Sequence, residues 1–322
     1  MVYLTNGLSS FFATAVLFLA AASAGPPLHA QAGSNWRPPG DIAGLWDFAT
    51  ATPLERPSEH ADKEYLSVEE AAQFERLAIE RLAQRQEDRP TVHAPDWLDY
   101  GRNVQGSRRT SLIFDPPNGR IPPMTEDARR LLQEVRDRRA RPPAGPEDRS
   151  LWERCLIGFN AGPPINPGAY NNNVLIVVTP DTVALLNEMV HDTRIVPLDD
   201  RPRLPEHVRQ FQGDSRGYWD GETLVIETRN FDPRVNFPGS GSNMHLAVVT
   251  ERFTRFDDDT LVYEYTIDDP ASFERPWSAR IEMKKSDQAI FEYACHEGNY
   301  SLLNMLEYAR TDEERANEAP AE

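Results

Sequence analysis

The sequence predicts a mainly β protein: an antiparallel up-and-down barrel of about 8–10 strands with two accessory N-terminal helices. Two observations carry the barrel. From Val174 onward, apolar-rich runs succeed one another at short spacing, separated by turn residues. Little helical periodicity intervenes between them, so the strands join as hairpins, and a meander of this kind hides its edges by closing on itself. A third observation supplies the helices. Ser67–Glu87 and Thr125–Arg139 each open on a capping residue and carry apolar positions at helical spacing.

Each element has its own local signal. "IAGLWDF", Ile42 to Phe48, reads as a first strand. In Ser67–Glu87, "SVEE" is a capping box, and Phe74, Leu77 and Leu82 belong to an apolar stripe. "SLIFDPPNGRIPPMT" reads as two short strands around a Pro-Asn-Gly turn. Thr125–Arg139 is capped by Thr125 and ends on arginines that suit a helix C-terminus. "VLIVVTP", "TVALLNEM" and "TRIVPL" are strands. "SRGYWDGETLVIETRNF" is a hairpin turning at Trp219-Asp220-Gly221. "LAVVTERFTRFDDDTLVYEYTIDDP" turns at Asp257–Asp259, and "WSARIEMKKSDQAIFEYAC" reads as a further hairpin, so that Val174 to Cys295 forms continuous antiparallel β-structure.

Domain organisation emerges from the same signals. Residues 1–30 read as a signal peptide, 31–150 as an extension of strands and two helices packing on the barrel, 151–310 as the barrel core, and 311–322 as a disordered acidic tail. "FFATAVLFLAAASA", Phe11 to Ala24, has the apolar length of an export signal and is shorter than the roughly 20 apolar residues a membrane span needs. The expected location is periplasmic or secreted, with no membrane contact after cleavage. The 322-residue chain carries a net charge of −17, a surface that repels phosphate backbones and argues against nucleic acid as a partner.

Export bears on the cysteines. Cys155 and Cys295 are the only two, and an even count in an oxidising compartment points to a disulfide. A nucleophilic Cys295 activated by His296 is the competing idea, but neighbours on a strand point to opposite faces.

The site candidates cluster in the strand region. His191, His245 and His296 fall at strand ends, where a barrel can bring them to one opening. With Glu297 or Glu251 as carboxylate partner, His296 or His245 supplies general acid–base chemistry. Two alternatives stay open: a zinc-type site, although no pair of histidines has ligand spacing, and loop histidines without a chemical role. Tyr263, Tyr265, Trp277, Tyr293 and Tyr170 are candidate walls for a small apolar or aromatic ligand, and Arg216 a candidate partner for its carboxylate, unless Arg216 pairs with Asp214. Ser215 in "GDSRG" leads into a hairpin and not into a nucleophile elbow. No cofactor is implied. The reading is an exported lyase, isomerase or hydrolase acting on such a molecule; the alternative is a non-catalytic carrier of one.

"VHDTRIVPLD", "GDSRGYWDGETLVIETRNF", "ERFTRFDDDTLVYEYTIDDP" and "EYACHEGNY" resemble segments of a group of secreted bacterial proteins of unassigned function, over roughly Arg154 to Arg310. The resemblance implies export and no particular substrate. The hairpin meander is also similar to lipocalin-like barrels, which include carriers and enzymes, so the likeness implies an architecture and not an activity.

Overall fold

Ten strands form in the order in which the sequence presents its apolar runs. The computed structural model describes residues 36–88, 101–236 and 244–318. The expected signal peptide and its cleavage sites lie outside the described residues. The chain from Pro38 onward is one unit, and it holds every strand and helix named below. Its strands are β1 (Gly44–Asp47), β2 (Ile113–Asp115), β3 (Asn173–Val178), β4 (Thr182–Asn187), β5 (Thr193–Pro197), β6 (Asp214–Asp220), β7 (Thr223–Arg229), β8 (Val248–Arg255), β9 (Thr260–Asp268) and β10 (Trp277–Lys285). The helices are α1 (Val68–Asp88), α2 (Glu126–Arg139) and α3 (Tyr300–Glu318).

All strand pairs are antiparallel, in the order β5-β4-β3-β1-β10-β9-β8-β7-β6, with β2 added beside β10. The result is a nearly closed barrel of nine strands, lipocalin-like in architecture, with accessory helices. β1 is what joins the two halves, pairing β3 through Gly44–Asp47 and β10 through Trp46 and Asp47.

That pairing corrects one expectation. β10 has β9 on one side and β1 with β2 on the other, so no edge is left for a strand after it. Ser286 to Asn299 accordingly contains no strand, and β-structure ends at Lys285. "SLIFDPPNGRIPPMT" holds one strand, β2, plus a single bridge from Met124 to Phe273. Residues 311–318, expected as a disordered tail, continue α3.

The barrel is filled. Phe253 stacks on Tyr263 with ring centroids 4.7 Å apart, Tyr263 meets Tyr265 at 5.7 Å, and Tyr265 meets Trp277 at 5.9 Å. Trp46, Phe48, Leu224, Ile226, Leu261, Ile281 and Met283 pack around this ladder and are fully buried. Burying large aromatic rings against one another supplies both area and ring–ring attraction.

No ladder joins β5 to β6. The seam closes through side chains. Gly217 of β6 lies so close to Val196 and Leu198 that an added Cβ would come within 2.8 Å of Leu198 Cδ2. Arg203 donates to the Asp214 carbonyl at 2.9 Å, and Arg216 to the Pro202 carbonyl at 2.8 Å. Inside the barrel, Arg194 of β5 forms a two-pronged ion pair with Glu251 of β8, its Nη2 donating to Oε1 at 2.8 Å. Tyr263 Oη donates to the same Oε1 at 2.8 Å and accepts from Ile165 N at 2.9 Å. Arg194 Nη1 also reaches Thr228 Oγ1 at 3.4 Å, which bonds Ser215 Oγ at 2.8 Å. This belt runs from β5 through β6, β7 and β8 to β9, so it spans the seam that the backbone leaves open.

Candidate functional site: an arginine-lined cleft

The site is built on α2 and the disulfide. Thr125 caps α2 by accepting from Ala128 N at 3.1 Å, and its hydroxyl donates to the Ala271 carbonyl at 2.7 Å. The helix then runs over Glu126–Arg139 and presents Leu131, Leu132 and Val135 to a cleft. Its last turn adds Arg136, Arg138 and Arg139, cations that suit the partial negative charge of a helix C-terminus.

The opposite wall is the segment from Glu147 to Pro164. Cys155 and Cys295 form a disulfide that ties this wall to the chain leading into α3. Asn299 strengthens the tie by donating to the Glu153 carbonyl at 2.8 Å. Arg310 of α3 donates to the carbonyls of Pro143 and Ala144, at 2.6 and 3.0 Å. Trp152, Ile157 and Phe159 give this wall an apolar surface, and Val235 and Met244 close the floor. Phe159 packs edge-on against Trp152 at 6.2 Å and against Tyr170 at 5.5 Å.

The cleft is open to solvent and offers about 890 Å³. That is within the roughly 300–1,000 Å³ range of small-molecule sites. Six arginines line it, Arg136, Arg138, Arg139, Arg149, Arg154 and Arg234, against three carboxylates, Glu134, Glu147 and Asp148. In a chain of net charge −17 this is a local reversal of sign. Arg136, Arg138 and Arg139 are exposed to solvent, and an excess of one charge sign in a concavity attracts ions of the other.

The arginines differ in how fully they are engaged. Arg149 pairs with Glu153, which also accepts from Ser150 N at 2.9 Å and Ser150 Oγ at 2.6 Å. Burial raises the Glu153 carboxyl, but these hydrogen bonds outweigh it and hold it below the usual carboxylate range. Arg234 grips Asp232 with two bonds of 2.7 and 2.9 Å, which lowers the Asp232 carboxyl. Arg154 has one ionic partner among the described residues, Glu147, at 3.5 Å.

Of the residues singled out from sequence, Glu251, Tyr263, Tyr265 and Trp277 come together inside the barrel. His191 and His296 are exposed, as is Glu297, and His245 is half-buried. None of them lines this cleft or a second one of about 570 Å³ between α1 and Asn166–Ala169. His296, expected in a pocket wall, is exposed beside the disulfide that anchors its backbone. Glu251 is fully buried, with Arg194 as partner. Tyr263, Tyr265 and Trp277 are fully buried core. Tyr265 Oη donates to Asn166 Oδ1 at 2.7 Å, and burial pushes both tyrosines well above the ordinary phenol value. Arg216 spends its donors on Asp214 at 2.6 Å and on the carbonyls of Ser215 and Pro202. Tyr293 and Tyr170 are half-buried, Tyr170 behind Phe159. Ser215 is buried beside Thr228. Among the described residues no three His, Cys, Asp or Glu side chains are grouped to hold a metal ion, and no helix is long and apolar enough to cross a membrane.

Arg154, Arg149 and Trp152 were not among the residues the sequence singled out. A signal existed: "RSLWERC" sets two arginines and a tryptophan directly before the disulfide cysteine.

Comparison of the chain with protein-family models, with curated proteins and with solved structures finds no match in any of the three.

Proposed function

We propose that the protein is an exported, non-catalytic binding protein for a small amphipathic anion. The ligand body, an alkyl chain or aromatic ring, lies on Trp152, Phe159 and the apolar face of α2, and its acidic head meets Arg154. The observation that carries this reading is the group of six arginines around an apolar-floored cleft in a strongly acidic chain. A guanidinium beside apolar surface favours a carboxylate, sulfonate or phosphate head, because charge-assisted hydrogen bonds strengthen where water is excluded. The disulfide fits an oxidising compartment.

The test is calorimetric titration of the full chain with dodecanoate, dodecanol and dodecylammonium. Dodecanoate is expected to bind once per chain, at least about tenfold tighter than the alcohol, the difference expected of one charge-assisted hydrogen bond. The affinity falls as salt rises. Equal binding of the anion and the ammonium compound rules the reading out.

A further inference from the structure

A carboxylate of the chain itself already stands in the place the ligand head group needs. We infer that Glu147 is a built-in placeholder: it neutralises Arg154 in the empty cleft and gives way when an anionic head arrives. This rests on the cleft being an anion site and specifies how its affinity is set.

Three observations lead there. First, Arg154 is the least engaged cation of its wall. Its side chain is 16% exposed, and its one ionic partner stands at 3.5 Å without a hydrogen bond. Arg149 and Arg234, by contrast, have close carboxylates of their own. A largely buried guanidinium with so loose a partner retains donors for a further acceptor. Second, Glu147 is free to leave. It is 74% exposed and sits in a short turn, Pro146–Asp148. The turn is held by Asp148, whose Oδ2 accepts from Ala144 N at 2.8 Å, and by backbone bonds, so the Glu147 carboxylate is not needed to form it. Third, Asp232 is what mainly favours the charged form of Arg234, and Glu147 adds a smaller push in the same direction. One exposed carboxylate thus pairs with Arg154 and adds weakly to the field at Arg234.

The Glu147 end of the pair is exposed, so water screens it and displacing it costs little. The chain gains a cleft whose buried arginine is not left bare when empty, and the ligand loses a small factor of affinity.

The experiment is dodecanoate titration of the full chain at low salt, with Glu147→Gln, Arg154→Gln and the double variant. Glu134→Gln, which removes an equal charge elsewhere on the cleft, is the control. Glu147→Gln is expected to tighten binding about two- to fivefold, the range an exposed pair allows. Arg154→Gln is expected to weaken it about tenfold or more. On the Arg154→Gln background the Glu147→Gln effect should shrink to the small remainder that Glu147 exerts through Arg234, which is the coupling a shared partner produces. Equal tightening on both backgrounds, or equal tightening by Glu134→Gln, overturns the inference in favour of general field effects. Unchanged or weaker binding by Glu147→Gln overturns it outright. If dodecanoate binds none of the proteins, the anion-site reading fails and the inference with it; normal binding by the parent chain with no Glu147 effect sinks the placeholder alone.

Discussion

Glu251 lies in the inward phase of β8, between Val249 and Phe253, where alternation calls for an apolar side chain. Its partner Arg194 is likewise inward on β5, while Ile195 next to it is exposed. Burial disfavours the Arg194 cation, but Glu251 outweighs it and holds the guanidinium above its ordinary value. Removing one member of such a pair leaves a buried charge uncompensated, at a cost of about 3–5 kcal/mol, whereas replacing both with apolar groups is often neutral. Glu251→Gln should therefore destabilise by about that much in urea unfolding, and Arg194→Met with Glu251→Leu should recover most of it. A loss in the double variant equal to the sum of the losses from removing each partner alone would show that the pair is not coupled. Half of this was legible. Glu251 was singled out, but as the carboxylate partner of His245 and not of an arginine. Arg194 was not, because "TRIVP" reads more naturally with Ile195 inward, and only the need to bridge the β5–β6 seam reverses it.

Helix ends were the most legible elements because caps are local chemistry. Ser67 and Glu70 form the reciprocal capping box of α1, with Ser67 N donating to Glu70 Oε2 at 2.7 Å and Glu70 N to Ser67 Oγ at 3.2 Å. The stripe was less so: Ala71, Phe74 and Ala78 face inward, Leu77 is exposed, and the Leu82 side chain lies outside the described residues. The hairpins β6–β7 and β8–β9 were legible from their turns. What failed depended on distant partners. "AIFEYAC" has strand composition but no free edge to join, since β1 had taken it from 239 residues away in the chain (Trp46↔Lys285, a separation of 285 − 46 = 239). α3 carried its signal in Leu302, Met305, Leu306 and Ala309 at helical spacing, masked by the acidic residues after them. Thr125 tests the cap of α2. Thr125→Ala removes both the Ala128 cap and the bond to Ala271, so a loss of about 1–2 kcal/mol in thermal unfolding is expected. Because α2 is a wall of the cleft, dodecanoate affinity should fall with it. A stable variant with unchanged affinity would mean that the wall is held by its side-chain packing alone.

At the scale of the whole molecule, the barrel and the cleft depend on different bonds. The barrel is closed by ladders, ending at the bond from Ser286 N to the Leu45 carbonyl, by the aromatic core and by the Arg194–Glu251 belt, and the segment Asp287–Glu318 adds no strand to it. The cleft wall hangs on that last segment through Cys155–Cys295, Asn299 and Arg310. The disulfide spans 140 residues of sequence. In the chain-entropy model a loop of that length stabilises by about 5 kcal/mol, and removal of a native disulfide commonly costs about 2–5 kcal/mol. Replacing both cysteines by serine should lower the midpoint of unfolding by a matching amount. The far-ultraviolet β signature should persist, because the ladders remain. The larger effect is expected on the cleft. Without the covalent tie, Trp152 and Arg154 lose their fixed distance from α2, and a site whose groups must be ordered on binding gives up affinity to that ordering. Dodecanoate binding should therefore weaken by more than the stability loss alone predicts, measured at a temperature where the double variant is fully folded. Limited proteolysis should cut first between Lys285 and Tyr300, the strandless segment that the disulfide restrains. Unchanged affinity in a folded, proteolytically resistant variant would assign the disulfide to the barrel instead, and would separate the cleft from the segment that ends in α3.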